Sequence, residues 1–296
     1  MLCSFTCLYM RLCIFNPEHD LCLSKGRWNY VPPRSAVDFA RRDAGLMQVL
    51  YPDAYCCSVY SYTSQPPSRG DGEYTFTSVI AWGWDPVVKH ELLKRGVPAI
   101  LLPSDEEIAT IRELQHRSTV LPLQDGCHAV HSLEEMEGLL RMREHWVMKA
   151  PWSGSGRGLR WVHGRLTDID RDWLVKTVDN QRCVIAEPRR DVVADVALEY
   201  RNGSFLGYSY FKTGSGVYKE NVMWSDREIV DYFSHTGLQE MHIRVEQWLE
   251  EYVWPRYFGP LGVDLMVCGD GSVHVAEMNV RHTMGMIAHE RMRRDS

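Results

Sequence analysis

Apolar and polar positions alternate along this chain in two successive styles. In the first hundred residues, short apolar runs at 12–15, 77–84 and 99–102 are separated by helix-like stretches at 35–50 and 85–95. That spacing predicts three strands of a small α/β unit with a parallel crossover. Ser35 stands where a helix N-cap is expected, and the Pro-, Ser- and Gly-rich residues 64–73 read as a loop. Beyond residue 104 a helical pattern at 106–117 gives way to strand patterns at 146–149, 159–162, 182–188, 195–200 and 204–211, then a long helical region at 226–252. Two last apolar runs, 265–267 and 273–276, flank Gly269-Asp270-Gly271, a hairpin signal.

The polar residues at the ends of these runs carry the chemistry. Asp264, Glu277, Asn279 and Arg281 lie on or just after the two strands of the last hairpin, and strand alternation turns Glu277 and Asn279 to one face with Met278 to the other. Oxygen donors in that arrangement suit magnesium, with Arg281 able to offset phosphate charge; an ordinary solvated hairpin face is the alternative. A second motif is Lys149-Ala150-Pro151-Trp152-Ser153-Gly154-Ser155-Gly156-Arg157-Gly158, between two apolar strands. Three glycines in five positions let backbone N–H groups approach an anion, and Lys149 adds a point charge. No helix and no Gly-Lys-Ser/Thr follows, which excludes a Walker loop and a dinucleotide fingerprint; a flexible glycine-serine turn is the plainer alternative.

In this order the motifs resemble the ATP-grasp superfamily, over roughly residues 104–289, most specifically in Glu277-Met278-Asn279-Val280-Arg281. The resemblance implies an α/β and α+β architecture: an ATP-grasp fold of two α+β subdomains in residues 104–296, preceded by a Rossmann-like domain in 1–103. It implies ATP and Mg2+ as cofactors, magnesium on Asp264, Glu277 and Asn279, and the triphosphate covered by Lys149, Ser153, Gly154, Ser155, Gly156, Arg157 and Gly158. Ala186 and Glu187, closing the strand at 182–188, would bind adenine and ribose at a hinge. Asp195 reads as a strand-start surface residue, with a place at the ribose as the alternative. Catalytic roles fall to Arg281, Lys149 and Lys212, the last on a second glycine-rich basic stretch at 211–221 that otherwise reads as a surface loop. One departure stands out. Members carry a further lysine early in the grasp domain, whereas residues 106–117 contain none, leaving Arg112 or Arg117 as substitutes.

Asn16-Pro17-Glu18-His19-Asp20 follows the first predicted strand, where open α/β sheets place ligands, so Glu18, His19 and Asp20 are candidate substrate-binding residues. Backbone bonds within a turn are their alternative use. The implied reaction joins a carboxylate to an amine or related nucleophile through an acylphosphate, with small-molecule or peptide substrates; a kinase-like phosphotransferase and a non-catalytic nucleotide-binding module are the rivals. The resemblance also allows a homodimer.

Composition narrows the classes. With 296 residues and 45% hydrophobic content the chain supports one large or two ordinary cores. A net charge of −6 and a pI near 6.1 argue against a general nucleic-acid binder. Nine scattered cysteines without a Cys-x-x-Cys pair fit reduced thiols in a cytoplasm better than disulfides or a zinc site. Residues 1–14 are apolar but too short to span a membrane, with no leader pattern, and Met10 is an alternative start.

Overall fold

The computed structural model describes residues 8–62, 74–153, 158–214 and 217–295. They fall into two compact units: one runs to Arg112 and includes Arg293–Asp295, the other is Glu113–Met292.

In the first unit, β1 (Leu8–Ile14) is flanked in parallel by β2 (Tyr55–Cys57) and β3 (Tyr74–Ala81). Helices α1 (His19–Lys25), α2 (Arg34–Arg42) and α3 (Met47–Leu50) precede β2, and α4 (Pro86–Lys94) follows β3. Leu12, Ile14, Val79 and Ala81 pack with Val88 and Leu92 of α4, so strand and helix periodicities meet in one core. α4 starts where the sequence predicts because the Asp85 carboxylate accepts from the N–H groups of Val87 and Val88. Three expectations are corrected. The run at 99–102 is a 3-10 turn, Ala99–Leu101, pinned between Pro98 and Pro103, with Ile100 91% exposed. The stretch 35–50 is broken at Ala44-Gly45-Leu46 and is capped by no side chain, its N-cap being Pro33. The third strand of the sheet is instead the edge strand β2, too short at three residues to leave a periodic signal.

Helix α5 (Asp105–Leu114) ends short of the expected 117, and a 3-10 segment, Arg117–Leu123, follows. The second unit holds two antiparallel sheets. One, ordered β4-β7-β5-β6, comprises β4 (His128–Val130), β5 (His145–Lys149), β6 (Leu159–His163) and β7 (Val184–Pro188). Its Trp146, Met148, Val162, Val184 and Ala186 pack on α6 (Leu133–Met142) and α7 (Asp168–Gln181). Alternation turns Lys149, Val147, Ile185 and Glu187 to the opposite face.

The other sheet, ordered β10-β9-β8-β11-β12, is built from β8 (Val192–Arg201), β9 (Ser204–Gly214), β10 (Val217–Val222), β11 (Pro260–Cys268) and β12 (Val273–Asn279). The stretch 211–221 is thus a β9–β10 hairpin where its residues are described, not a loop. One face packs on α8 (Asp226–Tyr232) and α9 (Leu238–Tyr252), through contacts such as Tyr210 on Phe233 and Tyr208 on His242. The expected long helix is two because polar turn residues from Ser234 to Gly237 interrupt it. The other face carries the site described next, together with the start of α10 (Met284–Asp295).

Candidate active site

Register assembles the acidic cluster. Asp264 of β11 lies directly opposite Glu277 of β12, and Gly262 opposite Asn279. A bulge at Ala276 then shifts the pairing, so Val275 faces Leu265. On the other side of β11, Asp264 pairs with Ala197 and Gly262 with Glu199 of β8. Asp264, Glu277, Asn279 and Glu199 therefore share one face, while Met278 is buried on the other, as alternation predicts. The Asn279 amide donates to an Asp264 oxygen at 3.1 Å, and the Arg281 guanidinium donates to the Asn279 Oδ1 at 2.8 Å. Burial, and then repulsion from Glu277 and Glu199, holds the Asp264 carboxyl well above the usual range despite Arg281 and Asn279.

Glu199 escaped the sequence reading. It is 1% exposed, accepts from Thr283 at 2.7 Å and from Ser209 at 3.0 Å, and burial raises its carboxyl too. A Cβ on Gly285 would lie 1.9 Å from Glu199 Oε1, so α10 can begin against this carboxylate only with glycine there. The one sequence signal was its phase, two residues beyond Ala197 and four beyond Asp195 along β8.

Arg117 joins the cluster to the glycine-rich hairpin. Its guanidinium donates to Ala150 O and Ser153 Oγ, both at 2.6 Å, to Ser153 O at 3.1 Å, and to a Glu277 carboxylate oxygen. The 3-10 segment that carries it covers the edge strand β12: Gln124 Nε2 donates to Val275 O and Ala276 O, while Gln115 accepts from the Val280 N–H. Arg112, the other substitute considered, instead donates to Leu23 O and Ser24 O in the first unit. The hairpin stem closes through Ala150 N–H to Gly158 O at 2.9 Å; Gly158 has φ +80° and no room for a Cβ, which would meet that of Ser153 at 2.9 Å. Gly154, Ser155, Gly156 and Arg157 lie outside the described residues.

Lys149 donates to Glu187 at 2.8 Å, with both side chains largely buried. Asp195 is interior to β8, not a strand-start surface residue; it accepts from Thr213 at 2.6 Å and is raised by burial, with the Lys149 charge among the opposing influences. Two candidates are not brought in. Ala186 is fully buried in the helix-packed core, and its backbone is held between β4 and β5. Lys212 pairs with Glu220 at 3.1 Å and, one residue beyond Phe211, faces away from the acidic cluster.

The donor set fits magnesium. Two carboxylates and an amide oxygen are hard ligands, and a cation beside Asp264 would relieve the like-charge repulsion that raises it. Asp264, Glu277 and Asn279 are the residues that could hold it.

In the first unit, Glu18, His19 and Asp20 are 2%, 0% and 6% exposed, closer to core residues than to an open cleft. Asn16 fixes their loop, donating to Gly83 O at 2.7 Å and to Asp85 at 2.9 Å. Neither Glu18 oxygen nor either His19 ring nitrogen has a hydrogen-bond partner, although His19 Nδ1 comes within 3.7 Å of Asp85. Burial pushes the Glu18 carboxyl up to about 7, opposed by the neighbouring Tyr60 hydroxyl. Trp82, at the end of β3, stacks edge-on against Phe15.

No protein-family model and no curated protein matches this sequence. Solved structures do match its fold. D-cycloserine synthetase aligns over 98% of this chain and 100% of its own at TM-score 0.54 and 11% identity. D-alanyl-alanine synthetase A from Vibrio cholerae aligns over 93% and 89% at 0.53 and 13%. N5-carboxyaminoimidazole synthetase from Staphylococcus aureus, complexed with ADP, aligns over 94% and 73% at 0.51 and 11%. The fold they share with this chain is the ATP-grasp fold.

Proposed function

We propose that this chain is an ATP- and magnesium-dependent ligase that joins a carboxylate to an amine or related nucleophile through an acylphosphate, releasing ADP and phosphate. The observation that carries the reading is Arg117, whose guanidinium ties the stem of the glycine-rich hairpin to Glu277 of the acidic cluster. The stem of that hairpin and the oxygen donors for a cation are thereby held against one another. The three solved structures named above are synthetases, one of them with ADP bound, which supports the same reading.

In this reading Asp264, Glu277 and Asn279 hold magnesium, which would offset the negative charge of the triphosphate. Lys149 and Arg281 direct positive charge at phosphate oxygens, and Glu187 keeps the Lys149 ammonium in place until the nucleotide arrives. Hairpin N–H groups cover the phosphates and exclude water. Arg117 takes the place of the early lysine; its fork donates to a Glu277 oxygen and would offer its remaining positive charge to phosphate. Glu18, His19 and Asp20 serve the acceptor substrate in the first unit, and the buried Glu18 oxygens and His19 ring nitrogens are the polar groups a substrate would satisfy.

Isotope transfer tests the reaction. With ATP, magnesium, pooled amines and carboxylates labelled with oxygen-18, the released phosphate should carry one labelled oxygen per ADP, because the acylphosphate breaks at the carbonyl. A stable phosphorylated acceptor, or ADP release with unlabelled phosphate, would sink the ligase assignment.

A further inference from the structure

The ends of the glycine-rich hairpin that lie away from its tip carry a second cluster of ligating side chains. Glu144 precedes β5, His145 opens that strand, and His163 closes β6. The antiparallel register sets His145 directly opposite His163, which puts both imidazoles on the same face. Their rings stack at 4.2 Å with an interplanar angle of 5°. His163 Nε2 stands 3.5 Å from a Glu144 oxygen. One nitrogen from each ring and that carboxylate all lie within 4.8 Å of one another, and no other three of the described His, Cys, Asp and Glu residues do so.

We propose that Glu144, His145 and His163 form a binding site for a divalent transition-metal ion, of which zinc is the representative. Two imidazoles and one carboxylate are the borderline nitrogen and oxygen donors that zinc takes, whereas magnesium favours oxygen alone. With ligand distances of about 2.0–2.2 Å, a tetrahedral ion needs its donors about 3.4 Å apart. Exposed side chains reach that spacing by small rotamer changes: Glu144 and His163 are 74% and 68% exposed. Three protein donors leave the fourth position to water or an exogenous ligand. Backbone geometry already supports the cluster, because Gly164 N–H donates to Glu144 O at 2.8 Å and Arg189 N–H to His145 O at 3.2 Å.

The position gives the site a consequence. β6 is the edge strand of its sheet, and β5 and β6 are the two arms that lead to the loop between Lys149 and Leu159. An ion bound to both arms closes the hairpin at its base and stiffens the edge strand without touching the acidic cluster. The inference does not depend on the ligase reading.

Cobalt and zinc test it on the full chain after chelator treatment, by calorimetry, thermal melting and absorption. The expected result is one ion per chain, a raised melting temperature, and visible cobalt bands without the intense near-ultraviolet thiolate transition that cysteine ligation would give. His145→Ala and His163→Ala should each weaken binding at least tenfold while leaving the metal-free melting temperature unchanged, as suits exposed positions. Glu144→Gln should weaken it less, and magnesium should not compete. Absence of binding, a thiolate transition, or binding retained by the double histidine variant would overturn the site.

Discussion

Asp264 is the residue on which stability and function pull apart. Its carboxyl is raised, first by burial and then by Glu277 and Glu199, so its favourable contribution is present at low pH and lost as pH rises through its folded-state value. Ionising Asp264 without a cation beside it therefore costs stability. Asp264→Asn should raise the magnesium-free melting temperature by about 2–4 °C, the shift that about 1 kcal/mol produces in a domain of 150–250 residues. The same change should abolish the magnesium dependence of nucleotide affinity. A lower melting temperature for this variant would contradict the electrostatic account. Arg117 presents the opposite case. Arg117→Met strips Glu277 of its guanidinium partner and the hairpin stem of three bonds, so ATP affinity measured by calorimetry should fall at least about tenfold, or about 1.4 kcal/mol. Arg117→Lys should recover part of it; an affinity unchanged by either substitution would remove Arg117 from the site.

Elements were legible where their patterns were long. The hairpin β11–β12, the strands on either side of the glycine-rich loop, and α4 all lie where alternation, turn residues and helical periodicity place them. Short pieces escaped. β2 has three residues, and the 3-10 segment Arg117–Leu123 has no apolar period of its own, yet it brings Arg117 and Gln124 onto β12. Polar residues buried by tertiary contacts, Glu199 and Gln115 among them, leave no local signature either. The Asn16 to Asp20 turn follows β1, the place where its position in the sequence leads one to expect a ligand loop, but its closure against Gly83 and Asp85 rests on partners 67 and 69 residues away. That closure has a pH signature. Because the Glu18 carboxyl is raised to about 7, its contribution to stability is full below pH 4.5 and is lost as pH rises through 7. Glu18→Gln should therefore stabilise the protein increasingly between pH 5 and 8, approaching about 3 kcal/mol at the upper end. Melting curves at several pH values check this, and a pH-independent difference would remove Glu18 as the source.

At the scale of the molecule there is a parallel α/β unit and a larger unit of two antiparallel sheets, and the proposed function assigns acceptor recognition to the first and nucleotide with magnesium to the second. The candidate acidic cluster of the second was legible because Asp264, Glu277 and Asn279 sit on a contiguous hairpin and needed only strand alternation to converge. Lys212 is not brought to the cluster, since one residue of phase decides which face of β9 it takes. No helix among the described residues is long and apolar enough to cross a membrane. The central claim is that this second unit holds a nucleotide through magnesium. Calorimetric titration of ATP into the full chain, with and without magnesium, tests it on the natural sequence and on Glu277→Ala and Asn279→Ala. The account predicts binding that requires magnesium and falls at least tenfold in both variants while their melting temperatures stay within a few degrees. Absence of ATP binding, or binding indifferent to magnesium and to both substitutions, would contradict it.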